Sequence, residues 1–175
     1  MLAALALLVS AAWADDGFSR DPEGIGMGIF LGGPTGFSAA WRPGGTWGGR
    51  FWVDGAMAWS FASFAQVHAD ACLDLADLRT SDIPNTHFPV WLGAGPRLRI
   101  GSGTGYDSVN LGIRVPIAMG VWHDKVPIEG WAELVPVVGV WPRTEMGFDG
   151  GIGARVYIPA GRQGPRLASP EPDPY

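Results

Sequence analysis

Glu129 and Glu133 are the two carboxylates that most invite a reading as a general acid and base, because a strand carries them on one face. At ~3.3 Å per residue they would stand ~13 Å apart, too far to act together on one bond. Both are therefore expected to be counter-ions of nearby arginines. His68, His87 and His123 are the histidines of the chain. They form no i, i+2 or i, i+4 pair, so no metal site is expected from their spacing. His68 or His87 with Ser60, Ser63 or Ser81 supplies the residue types of a hydrolytic nucleophile and its base, yet the spacing singles out no pair. The glycine-rich run Gly101 to Gly105 lacks a following Lys-Ser/Thr and precedes a strand pattern, which makes it a turn and not a phosphate cradle. A single Cys72 excludes an internal disulfide and a multi-cysteine metal site. No catalytic residue, cofactor or metal is expected on these grounds.

The elements that must carry these residues are strands. Val109 to Trp122 reads V-N-L-G-I-R-V-P-I-A-M-G-V-W, with Leu111, Ile113, Val115, Ile117, Met119 and Val121 on one face. Asn110, Gly112, Arg114, Pro116, Ala118 and Gly120 fall on the other. The apolar row covers about eleven residues, the length of a tilted strand that crosses a bilayer and about twice that of an ordinary soluble strand.

The same alternation recurs along the chain. It predicts strands over Gly24 to Leu31, Thr35 to Arg42, about Gly48 to Ser60, Ser63 to Leu73, His87 to Ile100, Ile128 to Val140 and Phe148 to Ile158. Turn chemistry separates them at Gly32-Gly33-Pro34, Pro43-Gly44-Gly45 and His123-Asp124-Lys125, with a brief break near Phe61-Ala62. Asp74 to Thr86, acidic and containing Pro84, is expected to be the longest loop, with one helical turn around Leu73 to Leu78. Pro89, Pro96, Pro116 and Pro136 interrupt the strand patterns and suggest bulges. The sum is an all-β, antiparallel up-and-down transmembrane β-barrel of about eight strands.

Composition agrees. The chain has 175 residues, a net charge of -5, 27 glycines, 15 prolines and 9 tryptophans, with only 17% charged residues. The acidic balance argues against a nucleic-acid partner. Mean hydropathy is +0.13, high for a soluble domain, although beyond the extreme N-terminus no long continuous apolar run occurs. Alternation reconciles the two, since a strand can face lipid with half its residues. Residues 1–14 read as a signal peptide, an apolar run ending in Ala12-Trp13-Ala14, though without a basic start. Residues 15–158 form the barrel domain and 159–175 a disordered, Pro-rich tail.

Alternation by itself does not say which face is inside. The polar rows are crowded with Gly and Ala, a poor choice for a solvated face but one that makes room in a narrow lumen. They also carry a near-balanced set of charges. Arg50, Arg97, Arg99, Arg114 and Arg155 stand against Asp54, Asp70, Glu129, Glu133 and Asp149, and are expected to form a paired lumen network. Lys125 is the only lysine, and Arg is the side chain suited to buried ion pairs. Trp41, Trp47, Trp59, Trp122 and Trp141 fall near strand ends and are expected to form an aromatic girdle.

The segments G-I-G-M-G-I-F-L-G-G-P-T-G-F-S-A, L-G-A-G-P-R-L-R-I, L-G-I-R-V-P-I-A-M-G, A-E-L-V-P-V-V and D-G-G-I-G-A-R-V-Y-I resemble a family of small, short-looped bacterial outer-membrane β-barrels. Those are similar in shape to the membrane domains of OmpA and OmpX. The resemblance runs over Gly24 to Ile158 and implies eight strands inserted in outer-membrane lipid by the barrel assembly machinery of a Gram-negative cell envelope. That machinery reads an aromatic-rich last strand, here ending Val156-Tyr157-Ile158 without a terminal Phe. It transfers no catalytic residue. The expected role is structural or surface-interaction, as a monomer, with a side-chain-filled lumen. A narrow, porin-like channel, a small lipid-modifying enzyme and a soluble lipocalin-like ligand-binding barrel are the alternatives.

Overall fold

A computed structural model of the chain describes residues 23–43, 49–60, 64–101 and 109–158. The expected leader at 1–14, the expected tail at 159–175, Trp47, the expected break at Phe61-Ala62 and most of the expected Gly101–Gly105 turn lie outside the described residues. The described residues are all-β: β1 (Gly24–Gly32), β2 (Thr35–Arg42), β3 (Phe51–Ser60), β4 (Phe64–Leu78), β5 (Thr86–Gly101), β6 (Val109–Arg114), β7 (Ile117–His123), β8 (Val126–Trp141) and β9 (Glu145–Ile158).

Every pairing is antiparallel, and β1 pairs with both β2 and β9, so the hydrogen bonds ring round on themselves. An alternating ring needs an even number of staves, and nine strands meet that need because β6 and β7 are halves of one. Both lie between β5 and β8. The gap is Val115-Pro116, where the proline has no N–H for the ladder. The halves stay attached there: Gly93 N–H donates to the Pro116 carbonyl at 2.8 Å and Val115 N–H to the Pro136 carbonyl at 3.0 Å. The stretch expected as one strand over Val109 to Trp122 is thus one stave with a proline break. Pro89, Pro96 and Pro136 stay within strands. The β4–β5 ladder steps over Pro96, passing from the Arg97 pair to the Ala94 pair. The bulges fall elsewhere, at Asp74/Ala76, Leu111/Gly112 and Trp122/His123.

One expected loop is corrected. Asp74 to Leu78 is neither loop nor helical turn but the end of β4, paired to β5 through Leu78–Phe88, and the connection shrinks to residues 79–85. The bulge at Asp74/Ala76 disrupts the alternation there, hiding the strand in the sequence.

The faces are inside out relative to a soluble barrel. Met27, Ile29, Phe37, Met57 and Met119 are 61%, 51%, 62%, 61% and 51% exposed. Arg114, Glu129 and Arg155 are 1%, 0% and 1% exposed. A lipocalin-like arrangement, with the apolar rows inward, is therefore not what this chain adopts. Glycines on the inner face make space for large neighbours, as expected. A Cβ at Gly153 would overlap the Trp131 indole, and one at Gly120 would come within 2.8 Å of the Trp91 ring. Of the expected girdle, Trp41 and Trp141 face outward, whereas Trp122 is buried on the inner face. Its parity, even like that of Arg114 and Ala118, turns it inward.

Candidate functional site: the charged lumen

The polar rows of all eight staves converge on the lumen, and pairing there is arranged in tiers. In the first tier Arg42 ends β2 and reaches across the ring. Its Nη1 donates to Asp74 Oδ2 at 2.8 Å, its Nη2 to Glu129 Oε1 at 3.2 Å and its Nε to the Tyr157 hydroxyl at 3.1 Å. Tyr157 in turn donates to Glu129 Oε2 at 2.8 Å, and Trp52 Nε1 donates to Asp74 Oδ1 at 2.8 Å. Arg155 pairs with Glu129 at 3.0 Å and with Asp54 at 2.7 Å. Its guanidinium lies 3.9 Å from the Trp131 ring centroid, and that of Arg42 lies 4.0 Å from Trp52.

In the second tier Arg114 bridges Asp70 at 3.3 Å and Glu133 at 2.9 Å. In the third, Arg97 and Arg99 share Asp149 at 2.9 and 3.1 Å, while Arg97 also donates to Asn110 and Arg99 to Gln66. Between the charges sit Phe30, Trp52, Trp91, Trp131 and Tyr157, buried together in one cluster on the inner face. The Trp52 and Trp91 rings meet edge to face at 5.4 Å.

Nine of the ten expected lumen charges thus fall into these pairs. Arg50 precedes β3, and its Nη2 donates to the Leu75 carbonyl at 3.2 Å. Glu129 and Glu133 have arginine partners, as expected. Sequence reasoning missed Arg42, which shares a face with Ser38 and Ala40, and Asp74, which continues the inward row Gln66, His68, Asp70, Cys72. Parity pointed to both. The acidic run after Asp74 obscured the second.

The histidine and serine candidates do not come together as a hydrolase would need. His87 Nδ1 lies 2.7 Å from Asp77 Oδ2 and its Nε2 lies 2.8 Å from Asp124 Oδ1, so carboxylates engage both ring nitrogens. Its ring stacks on Trp122 at 4.3 Å. Ser81 is exposed on the adjoining connection and Ser63 lies outside the described residues. His68 points into the lumen, 4.0 Å from Asp70. Ser60 lies instead at the opposite mouth, beside Trp59, Phe64, Arg99 and Asp149, around a cavity of about 400 Å³. The half-buried His123 accepts from the Lys125 N–H at 3.2 Å.

The arrangement can pair charge, hold register and occupy the lumen with side chains. Compared with protein-family models, with curated proteins and with solved structures, the chain has no match.

Proposed function

We propose that this protein is an integral outer-membrane β-barrel with a structural or surface-interaction role and no chemistry of its own. The observation that carries the reading is the inverted distribution of side chains. Large apolar residues stand outward on every stave, while arginine–carboxylate pairs are buried within. In water such a surface would aggregate, because monomers rarely expose contiguous apolar patches beyond a few hundred Å². In hydrocarbon it is at home, and a ring leaves no backbone edge unsatisfied there. The apolar leader with its Ala-Trp-Ala terminus supports export. On this reading the partners are outer-membrane lipid and the barrel assembly machinery, and the chain acts as a monomer. The indoles and guanidiniums across the lumen disfavour a channel, and the carboxylates on both His87 nitrogens disfavour a lipid-modifying enzyme.

The test is expression of the full chain in a Gram-negative host, followed by density-gradient separation of the membranes and carbonate washing. Recovery in the washed outer-membrane fraction supports the proposal. Recovery in the soluble periplasmic fraction overturns it.

A further inference from the structure

Asp54 and Asp70 are direct cross-strand partners on β3 and β4, both pointing into the lumen and 6% and 1% exposed. Like charges placed opposite one another destabilise a sheet, so something must compensate them. The guanidiniums do so only in part. Across the first two tiers Arg42, Arg114 and Arg155 serve five carboxylates: Asp54, Asp70, Asp74, Glu129 and Glu133. The two chains of ion pairs meet at Asp54 and Asp70, where negative charge is in excess.

His68 stands at the same junction. It lies two residues before Asp70 on the same face of β4, and one donor atom from each of Asp54, His68 and Asp70 lies within 4.8 Å of the others. His68 Nδ1 and Asp70 Oδ1 are fully buried and have no hydrogen-bond partner, while Asp70 Oδ2 has only the Arg114 guanidinium at 3.3 Å and His68 Nε2 at 4.0 Å beside it. Each such orphan in a folded protein calls for an explanation, and a bound ion is one. Arg97, opposite His68 across β4–β5, directs its guanidinium to Asp149 and Asn110.

We propose that Asp54, His68 and Asp70 form a binding site for a divalent first-row transition-metal ion of the zinc type. One imidazole nitrogen and two carboxylates suit such an ion better than magnesium or calcium, which take oxygen ligands. Bonds of about 2.0–2.2 Å place tetrahedral donor atoms about 3.4 Å apart, so small side-chain rotations close the site. Arg155 on Asp54 Oδ1 and Arg114 on Asp70 Oδ2 serve as the outer partners that orient ligating carboxylates. The ion supplies the two positive charges that the junction lacks and ties β3 to β4. The inference rests on the inner face of the ring and is independent of what surrounds the outside.

The full chain, refolded in detergent after chelator treatment, is titrated with Zn2+ alone and with Co2+ alone. We expect one equivalent of zinc per chain to survive gel filtration. Cobalt should give ligand-field absorption and shift the ring protons of one of the three histidines. His87→Gln/His123→Gln, which leaves His68 as the sole histidine, keeps that shift. His68→Gln and Asp70→Asn weaken binding more than the ~10–100-fold that loss of an outer partner costs. Absence of retained zinc and of any cobalt-shifted imidazole in the wild-type chain overturns the proposal, whether or not the variants refold. So does undiminished binding in His68→Gln.

Discussion

Arg155→Met is the substitution whose cost the structure specifies most closely. The arginine is 1% exposed, 2.7 Å from Asp54 and 3.0 Å from Glu129, over the face of Trp131. After the substitution Glu129 keeps Arg42 at 3.2 Å and the Tyr157 hydroxyl at 2.8 Å, so the loss falls on Asp54. Removing one partner of a buried pair costs about 3–5 kcal/mol, chiefly from the charge left behind. Methionine refills the aliphatic stem and keeps contact with the indole, which places the expectation at the lower end, about 3 kcal/mol. That is roughly a hundredfold in the folding equilibrium. Asp54→Leu added to Arg155→Met removes the stranded carboxylate, and the double variant should return to within about 1 kcal/mol of wild type. The assay is urea titration of the vesicle-refolded protein in chelator-containing buffer, followed by tryptophan emission. A cost for Arg155→Met below about 1 kcal/mol, the value of a solvent-exposed pair, would refute the account of a dry, paired lumen.

Other expectations follow from the packing and from the outer face. Gly153→Ala drives a Cβ into Trp131 and should cost about 1–3 kcal/mol, recovered in part by Trp131→Leu; no recovery would show that the glycine serves another purpose. Ile29→Arg, near the middle of β1, should destabilise the vesicle-inserted protein by about 2–4 kcal/mol, against less than about 0.5 kcal/mol for a water-facing site. His87→Ala unties Asp77 from Asp124, so amide exchange in residues 79–85 should quicken while the ring remains protected; unchanged exchange would dismiss the clasp. In planar bilayers the wild-type protein should give no conductance steps, whereas steady single-channel openings would revive the channel reading.

The period of two made the staves legible in advance, and the gathering of Gly, Ala and balanced charges in one row, not the period itself, pointed to that row as the inner face. It placed Arg114, Glu129 and Arg155 correctly without knowledge of the ring. Three features escaped it, each for a local reason. The proline at Pro116 splits a stave without disturbing its parity, since its own carbonyl still accepts from Gly93 and the Pro136 carbonyl accepts from Val115. The Asp74/Ala76 bulge disrupts alternation just where acidic residues begin, so the end of β4 resembled a loop. The meeting of Asp54, His68 and Asp70 depends on the β3–β4 register, and histidine spacing along the chain carries no information about a neighbouring strand.

The central claim is a closed ring whose outside requires lipid or detergent, and gel mobility tests it most directly. The detergent-refolded full chain is run in SDS with and without boiling. The account predicts a folded form that resists SDS and shifts its mobility only after heating. A protein that folds and stays soluble without any amphiphile, and runs identically before and after boiling, would contradict it.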